Sequence, residues 1–453
     1  MSVFSRLGGV LRYVIAAVVV VGIVVLAGFL WIVLGPGPTD FAGRDRVALA
    51  DYRGANPTGV PAELANASLV KRGEYLARAA DCGACHSAPG RPAYSGGFAF
   101  VLPFGTLYST NITPDKETGV GAYTDAEFIA ALRRGVRRDG SPLYPAMPFV
   151  SYSTMTDADA LAIKAYFFSL PPVHATAPAN ALEFPFNQRW LMSVWALLFD
   201  RDRRFEPHSE RNPQWNRGAY LVDTMGHCGE CHTPRNLFQA LNNRAKFAGA
   251  VQAGWRAYNI TTDPASGVGD WSDADLGKYL AVGHADRHGS AAGPMGEAVD
   301  KSLDYLTPGD IASMVVYLRS VPPRATSDLP APKLTPAPGS HKEGVAANFD
   351  PRGKAIFERE CVSCHGWTGV SPVTGFATLT GARAVNDPTA TNVAQVVISG
   401  ARRTAGGGAF MPAFGQAYSN DEIAAVANYV TARFGAETSK IVATDVAKLR
   451  ETQ

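Results

Sequence analysis

The pentapeptide Cys-x-x-Cys-His occurs three times in this chain, and its three copies use every cysteine present. They are Cys82-Gly83-Ala84-Cys85-His86, Cys228-Gly229-Glu230-Cys231-His232 and Cys361-Val362-Ser363-Cys364-His365. Whatever the chain folds into, it must bring two thiols and an imidazole together at three separate places. This is the attachment signature of c-type haem, in which the thiols add to the vinyl groups and the histidine ligates iron. Structural zinc wants four converging ligands and has no use for a histidine at a fixed step after each pair. A thioredoxin-like dithiol sits in a βαβ context, where one pair suffices. A disulfide framework belongs to short cysteine-dense chains, whereas this one has 453 residues and six cysteines. Three covalently bound haem c groups are therefore expected, with His86, His232 and His365 on iron.

The first two motifs lie inside a long internal repeat. Asn111-Ile112-Thr113-Pro114-Asp115 through Thr118-Gly119-Val120-Gly121 recurs as Asn259-Ile260-Thr261-Thr262-Asp263 through Ser266-Gly267-Val268-Gly269. The spacings Cys82 to Cys228 and Asn111 to Asn259 differ by only two residues, so whole domains are duplicated. A helix follows each copy, opened by Thr124 with Glu127 or by Ser272 with Asp275 at capping-box spacing. The third copy lacks the Asn-Ile-Thr segment and is shorter. Each copy closes with an apolar-striped helix, near Asp157 to Leu170, near Pro308 to Ser320, and from a Ser419–Glu422 capping box onward. Each opens with a short helical pattern containing Gly73, Gly218 or Gly353. A glycine there would let the opening and closing helices cross closely.

A second iron ligand should come from the far side of each haem. Histidine with methionine gives the shielded, high-potential arrangement that suits electron transfer. Met147, Met295 and Met411 stand in corresponding places, read as loops just before the closing helices. Met155, Met192, Met225 and Met314 read more simply as core or helix residues. His284 and His288 share a glycine-rich stretch with Met295; they are alternative ligands there, and more simply solvated loop histidines. His227 reads as a surface or haem-edge residue, and His174, His208 and His341 as linker residues.

Tyr13 to Leu34 is uncharged and rich in Val, Ile, Leu and Ala. At about 1.5 Å per residue it spans a bilayer core of about 30 Å. A cleavable signal usually has only about 7–15 apolar residues, so length favours a retained anchor; either reading exports the rest. Arg6 and Arg12 precede the run and the next basic residue is Arg44, which keeps the N-terminus cytoplasmic. A second apolar run, Trp190 to Phe199, is too short to span. It reads first as a helix buried between domains, and alternatively as a membrane-surface or partner-docking helix. With 42 basic against 40 acidic residues, the chain has no broad attraction for nucleic acid or anionic lipid.

The resulting expectation is a mainly α chain of three tandem class I cytochrome c domains after an N-terminal transmembrane helix. Its segments are a cytoplasmic N-terminus over 1–12, the anchor or signal over 13–34 and a linker over 35–66. The first domain follows over 67–173, an inter-domain segment with the apolar helix over 174–210, and the second domain over 211–323. A proline-rich, semi-rigid linker covers 324–346, the third domain 347–436, and a polar tail without assigned role 437–453.

Asn111 to Asp115, the block Trp215-Asn216-Arg217-Gly218-Ala219-Tyr220-Leu221, and Gly226 through Asn236 together resemble the tri-haem cytochrome c subunit of bacterial membrane-bound dehydrogenases. The resemblance covers about residues 67 to 435. It implies a catalytic partner subunit (quinoprotein, flavoprotein or molybdoprotein) that oxidises substrate, and ubiquinone in the cytoplasmic membrane as acceptor. It places the bulk of the chain on the periplasmic side. Members commonly carry a cleaved signal, so a retained helix would be a departure. The rival readings are a self-sufficient haem oxidoreductase and a module donating to a terminal oxidase. No catalytic dyad, triad or phosphate loop stands out in the chain.

Overall fold

The computed structural model describes residues 3–339, 350–404 and 409–452. His341 and the expected boundary between the proline-rich linker and the third domain lie outside the described residues.

Three crossing helix pairs organise the body, one at each motif. The leading helices are Leu69–Ala79, Pro213–Ala219 and Pro351–Ile356. The closing helices are Asp157–Ser169, Pro308–Leu318 and Asn420–Phe434. Local chemistry starts the closing helices: Thr156, Thr307 and Ser419 each accept a hydrogen bond from a first-turn backbone N–H, and Pro308 needs no such partner. Each pair then crosses at a glycine. A Cβ on Gly73 would stand 1.8 Å from the Ala162 carbonyl oxygen, one on Gly218 1.9 Å from that of Ser313, and one on Gly353 2.2 Å from that of Ala425. In every case the next obstacle includes a tyrosine four residues further on: Tyr166, Tyr317 or Tyr429. Only a residue without a side chain lets two backbones meet there.

Small antiparallel hairpins complete the units. They pair Ala99–Leu102 with Gly105–Tyr108, Ala250–Gln252 with Trp255–Ala257, and Ala401–Arg403 with Ala409–Met411. In the second and third units the leading helix widens into a π-turn, Tyr220–Met225 and Phe357–Cys361, just before the motif. The first unit instead turns at Asp81, which has a left-handed φ of 50°.

The first two units share one continuous core running from Leu76 and Phe167 to Tyr220 and Leu318. Their contact is reciprocal. Tyr75 of the first leading helix donates to Asp310 of the second closing helix at 2.6 Å, and Tyr220 donates to Asp159 of the first at 2.5 Å. The third unit has its own core around Phe357, Tyr429 and Phe434. Ion pairs join it to the second unit, Arg256 with Asp387 at 3.0 Å and Arg403 with Asp300 at 3.0 Å. The linker is pinned where Lys333 N–H meets the Asn386 side chain and Ala337 N–H meets the Thr368 carbonyl.

One expectation is corrected here. The helix Leu191–Phe199 is not buried between domains: none of its residues is buried, and Leu197 is 83% exposed. The tail, to which the sequence assigned no role, carries a further element. Ala443–Arg450 is a helix that buries Val446 against the third unit, with Arg450 donating to the Tyr418 carbonyl at 2.7 Å. Ile441 and Leu449 pack on the same core, and Asn428 bonds to the backbone of Ile441, so scattered contacts dock it without a periodic stripe in sequence.

At the other end, Val3–Val33 is one helix, and its stretch Tyr13–Val33 is long and apolar enough to cross a membrane.

Candidate functional site

Each Cys-x-x-Cys-His motif occupies a short helical turn after the leading helix: Cys82–His86, Gly229–His232 and Val362–His365. The turn brings both cysteines and the histidine to one place. None of the six cysteines is paired with another in a disulfide. Burial pushes the Cys82, Cys85, Cys228 and Cys361 thiols up to about 12, with nearby acids or thiols adding to it. A redox-active dithiol would instead hold a lowered thiol. Among the described residues, no three His, Cys, Asp or Glu side chains gather into a metal-holding cluster.

The histidines show what these sites are built to take. His86 Nδ1 donates to the Thr110 carbonyl, His232 Nδ1 to that of Tyr258, and His365 Nδ1 to that of Ala377, each at 2.6 Å. A carbonyl can only accept, so Nδ1 carries the proton and Nε2 keeps its lone pair for a metal. Burial lowers the pKa of all three rings, which keeps them neutral. The residues thus fit haem c: two thiols for thioether bonds, and beside them an imidazole of fixed tautomer.

This geometry also explains the repeated Asn-Ile-Thr segment. Thr110 and Tyr258 immediately precede Asn111 and Asn259. Asn111 accepts from Thr113 N–H at 2.9 Å and donates to the Val173 carbonyl at 2.7 Å, just after the closing helix. Asn259 does the same with Thr261 at 2.8 Å and the Arg324 carbonyl at 2.6 Å. The asparagine therefore clamps the loop whose carbonyl orients the histidine. In the third unit a different turn, Gly375–Ala377, supplies that carbonyl.

The methionines are less uniform than the sequence suggested. Met147 is in a loop and packs against the shared core. Met295 lies in a helix, Gly293–Lys301, which Pro294 starts by occupying its first turn, and Met411 ends a hairpin strand. All three are partly exposed. Met155, Met225 and Met314 are core residues, as expected. His284 and His288 are not solvated. His284 is buried, bonded to Ser290 and Asp286 and stacked near Phe376 of the third unit, while His288 stacks on Trp271 at 4.0 Å. His208, placed in a linker, is buried under Trp215, whereas His174 is exposed. His227 stands edge-on to Tyr152, 5.5 Å away. The first and second motifs are neighbours: the helix bearing Met295 packs on Cys82–His86, and Cys231 is close enough to raise the Cys85 thiol.

A helical body that presents paired thiols beside a metal-ready imidazole defines a c-type cytochrome. A family model described as "Cytochrome C oxidase, cbb3-type, subunit III" matches residues 349–430, within the third unit. The fructose dehydrogenase cytochrome subunit of Gluconobacter japonicus is 40% identical over 422 residues, 87% of this chain and 85% of that protein. The gluconate 2-dehydrogenase cytochrome c subunit of Pantoea cypripedii is 36% identical over 409 residues, 86% of this chain and 91% of that protein. The cytochrome c subunit of the quinone-dependent alcohol dehydrogenase of Gluconacetobacter polyoxogenes is 36% identical over 405 residues, 86% and 85% respectively. The chain belongs to the family of cytochrome c subunits of bacterial dehydrogenase complexes, and it serves electron transfer.

Proposed function

We propose that this chain is a tri-haem cytochrome c, anchored in the cytoplasmic membrane by Tyr13–Val33, that carries electrons from a catalytic dehydrogenase subunit to ubiquinone on the periplasmic side. The observation that carries this reading is threefold repetition. Each of the three motifs has the same imidazole tautomer, set by a 2.6 Å bond to a backbone carbonyl, beside a helix pair that crosses at a glycine. That repetition supports reading 67–173, 211–323 and 347–436 as three class I cytochrome c domains. Haem c, when bound, supplies one-electron exchange. The chain supplies Cys82, Cys85, Cys228, Cys231, Cys361 and Cys364 as thioether anchors, and His86, His232 and His365 as fixed ligands. Met147, Met295 and Met411 are the second ligands in this reading. The catalytic partner would be a quinoprotein, flavoprotein or molybdoprotein dehydrogenase. The relatives' fructose, gluconate and alcohol dehydrogenases support such a partner without naming this chain's substrate.

Haem counting tests it. The purified full chain is expected to hold three covalent haems by haemochrome assay and intact mass. Replacing Cys228 and Cys231 together with alanine is expected to leave two. A count of one or two in the unaltered chain would sink the tri-haem reading.

A further inference from the structure

Fixed points align the first two units around their motifs. The crossing glycines Gly73 and Gly218 pair the leading helices, so Arg78 and Asp223 correspond, each five residues on. Just after the motifs, Tyr94 N–H donates to the Ser87 hydroxyl and Phe247 N–H to that of Thr233. Ala93 and Lys246, one residue earlier, therefore correspond as well. A cation beside the first motif is thus an anion beside the second, and an alanine is a lysine.

These residues are also held differently. The Arg78 guanidinium lies 3.8 Å over the Tyr305 ring and pairs with Glu74 at 3.5 Å. Asp223 and Lys246 instead face inward as an ion pair, with side chains only 8% and 7% exposed. Tyr317 of the closing helix donates to the other carboxylate oxygen of Asp223 at 2.5 Å. The Lys246 ammonium lies 4.5 Å over the Phe247 ring and 5.9 Å from that of Phe41. In the first unit the corresponding rings, Tyr94 and Tyr166, simply meet edge-on.

The Asp223 carboxylate is felt at the second motif. Burial, and after it the Asp223 charge, push the Cys228 thiol up to about 12, and Lys246 opposes them by less than Asp223 contributes. Glu230 and Arg235 are the other charged pair there; their side chains are 14% and 22% exposed, so solvent screens them more.

We propose that Asp223, held between Lys246 and Tyr317, lowers the reduction potential of the haem at the second motif and so makes the duplicated sites unequal. The inference rests on the reading of haem c at that motif. Oxidation there takes one electron from iron, passes it to another haem of the chain, and leaves the iron ferric with one more positive charge. A fixed carboxylate in an interior of low dielectric favours the ferric form. Lys246 and Tyr317 keep that carboxylate in place and offset part of its field. Arg78 has the opposite sign in the first unit, so an electron shared by the two sites is drawn toward the first. A unit charge about 10 Å from a site, at an effective dielectric of about 20, is worth about tenfold in a one-electron equilibrium.

Spectroelectrochemical titration of the haem-loaded full chain tests this. The component missing from the chain with both Cys228→Ala and Cys231→Ala identifies the second site. Asp223→Asn, which keeps the shape and an acceptor for Tyr317, is expected to raise that midpoint by about 59 mV, a tenfold change in a one-electron couple. The other components are expected to stay in place. Tyr317→Phe removes a donor from the carboxylate and is expected to lower the same midpoint. Loosened packing would move both variants in one direction, so opposite signs are the signature. Shifts of the same sign, no shift, or an equal shift of every component in Asp223→Asn overturns the assignment. If Asp223→Asn takes up no haem, Tyr317→Phe decides: a lowered midpoint supports the assignment, and a raised or unmoved one overturns it. An unaltered chain with no haem on the peptide spanning 228–232 would instead overturn the haem reading of that motif.

Discussion

Replacing Gly218 with alanine is expected to destabilise the second unit by about 3 kcal/mol, the upper part of the range for overpacked interiors, although it adds one methyl group. The new Cβ would stand 1.9 Å from the Ser313 carbonyl oxygen, 2.7 Å from its carbonyl carbon and 2.8 Å from Tyr317 Cβ. Carbon contacts are comfortable only at roughly 3.5–4.0 Å. Because the obstacle is backbone inside a helix, no rotamer change relieves it; the two helices must part. They carry Tyr220, Leu221, Met314 and Leu318 in the core that the first two units share, so parting them also opens that core. Gly277→Ala is the matched control. It sits inside the helix Asp273–Val282, where an added Cβ meets nothing nearer than Val315 at 3.8 Å. There the better helix propensity of alanine should stabilise by up to about 1 kcal/mol. Chemical unfolding followed by haem absorbance, with haem content of the purified variants, checks both. If the two changes have the same sign, close crossing is not what demands glycine at 218.

The glycines at 73, 218 and 353 were legible as crossing points because each precedes a motif at a similar step. The starts of the closing helices were legible too, since caps such as Thr307-Pro308 and Ser419–Glu422 act within one turn. The carbonyls that orient His86, His232 and His365 were not. A backbone oxygen can belong to any residue type, and Thr110, Tyr258 and Ala377 share no chemistry. Only the repeated asparagine beside two of them marked the place, and its clamp on Val173 or Arg324 bridges some sixty residues. The exposure of Leu191–Phe199 was undecidable for a related reason: an apolar run states that a face wants cover but not what covers it. His284 read as a solvated loop residue because the ring over it, Phe376, comes from a different unit. Met295 read as loop because glycine and proline flank it, yet proline in a first turn begins a helix as readily as it breaks one.

Asp310→Ala is expected to destabilise the paired first and second units by about 3–5 kcal/mol, the cost of leaving a buried partner charge alone. Asp310 is buried and takes four roles at once. It accepts from Tyr75 at 2.6 Å and from Arg217 Nε and Nη2 at 2.8 and 2.7 Å, and its own N–H is capped by Thr307. Without it the buried Arg217 guanidinium keeps only the Pro57 and Gly59 carbonyls. The reciprocal contact provides the comparison. Asp159 accepts from Tyr220 and from Gly59 N–H, with no arginine bound to it, so Asp159→Ala strands neutral donors and should cost about 1–3 kcal/mol. The duplicated units thus meet through the same tyrosine–aspartate exchange, but only one half carries a charge pair. If uncompensated charge is the cause, Asp310→Leu combined with Arg217→Met should recover most of what Asp310→Ala loses, because both charges leave the interior together. Urea midpoints of the haem-loaded chain measure all three. Equal losses for Asp159→Ala and Asp310→Ala, or no recovery in the double variant, would show that the tyrosine bonds fasten the two units and the ion pair adds nothing.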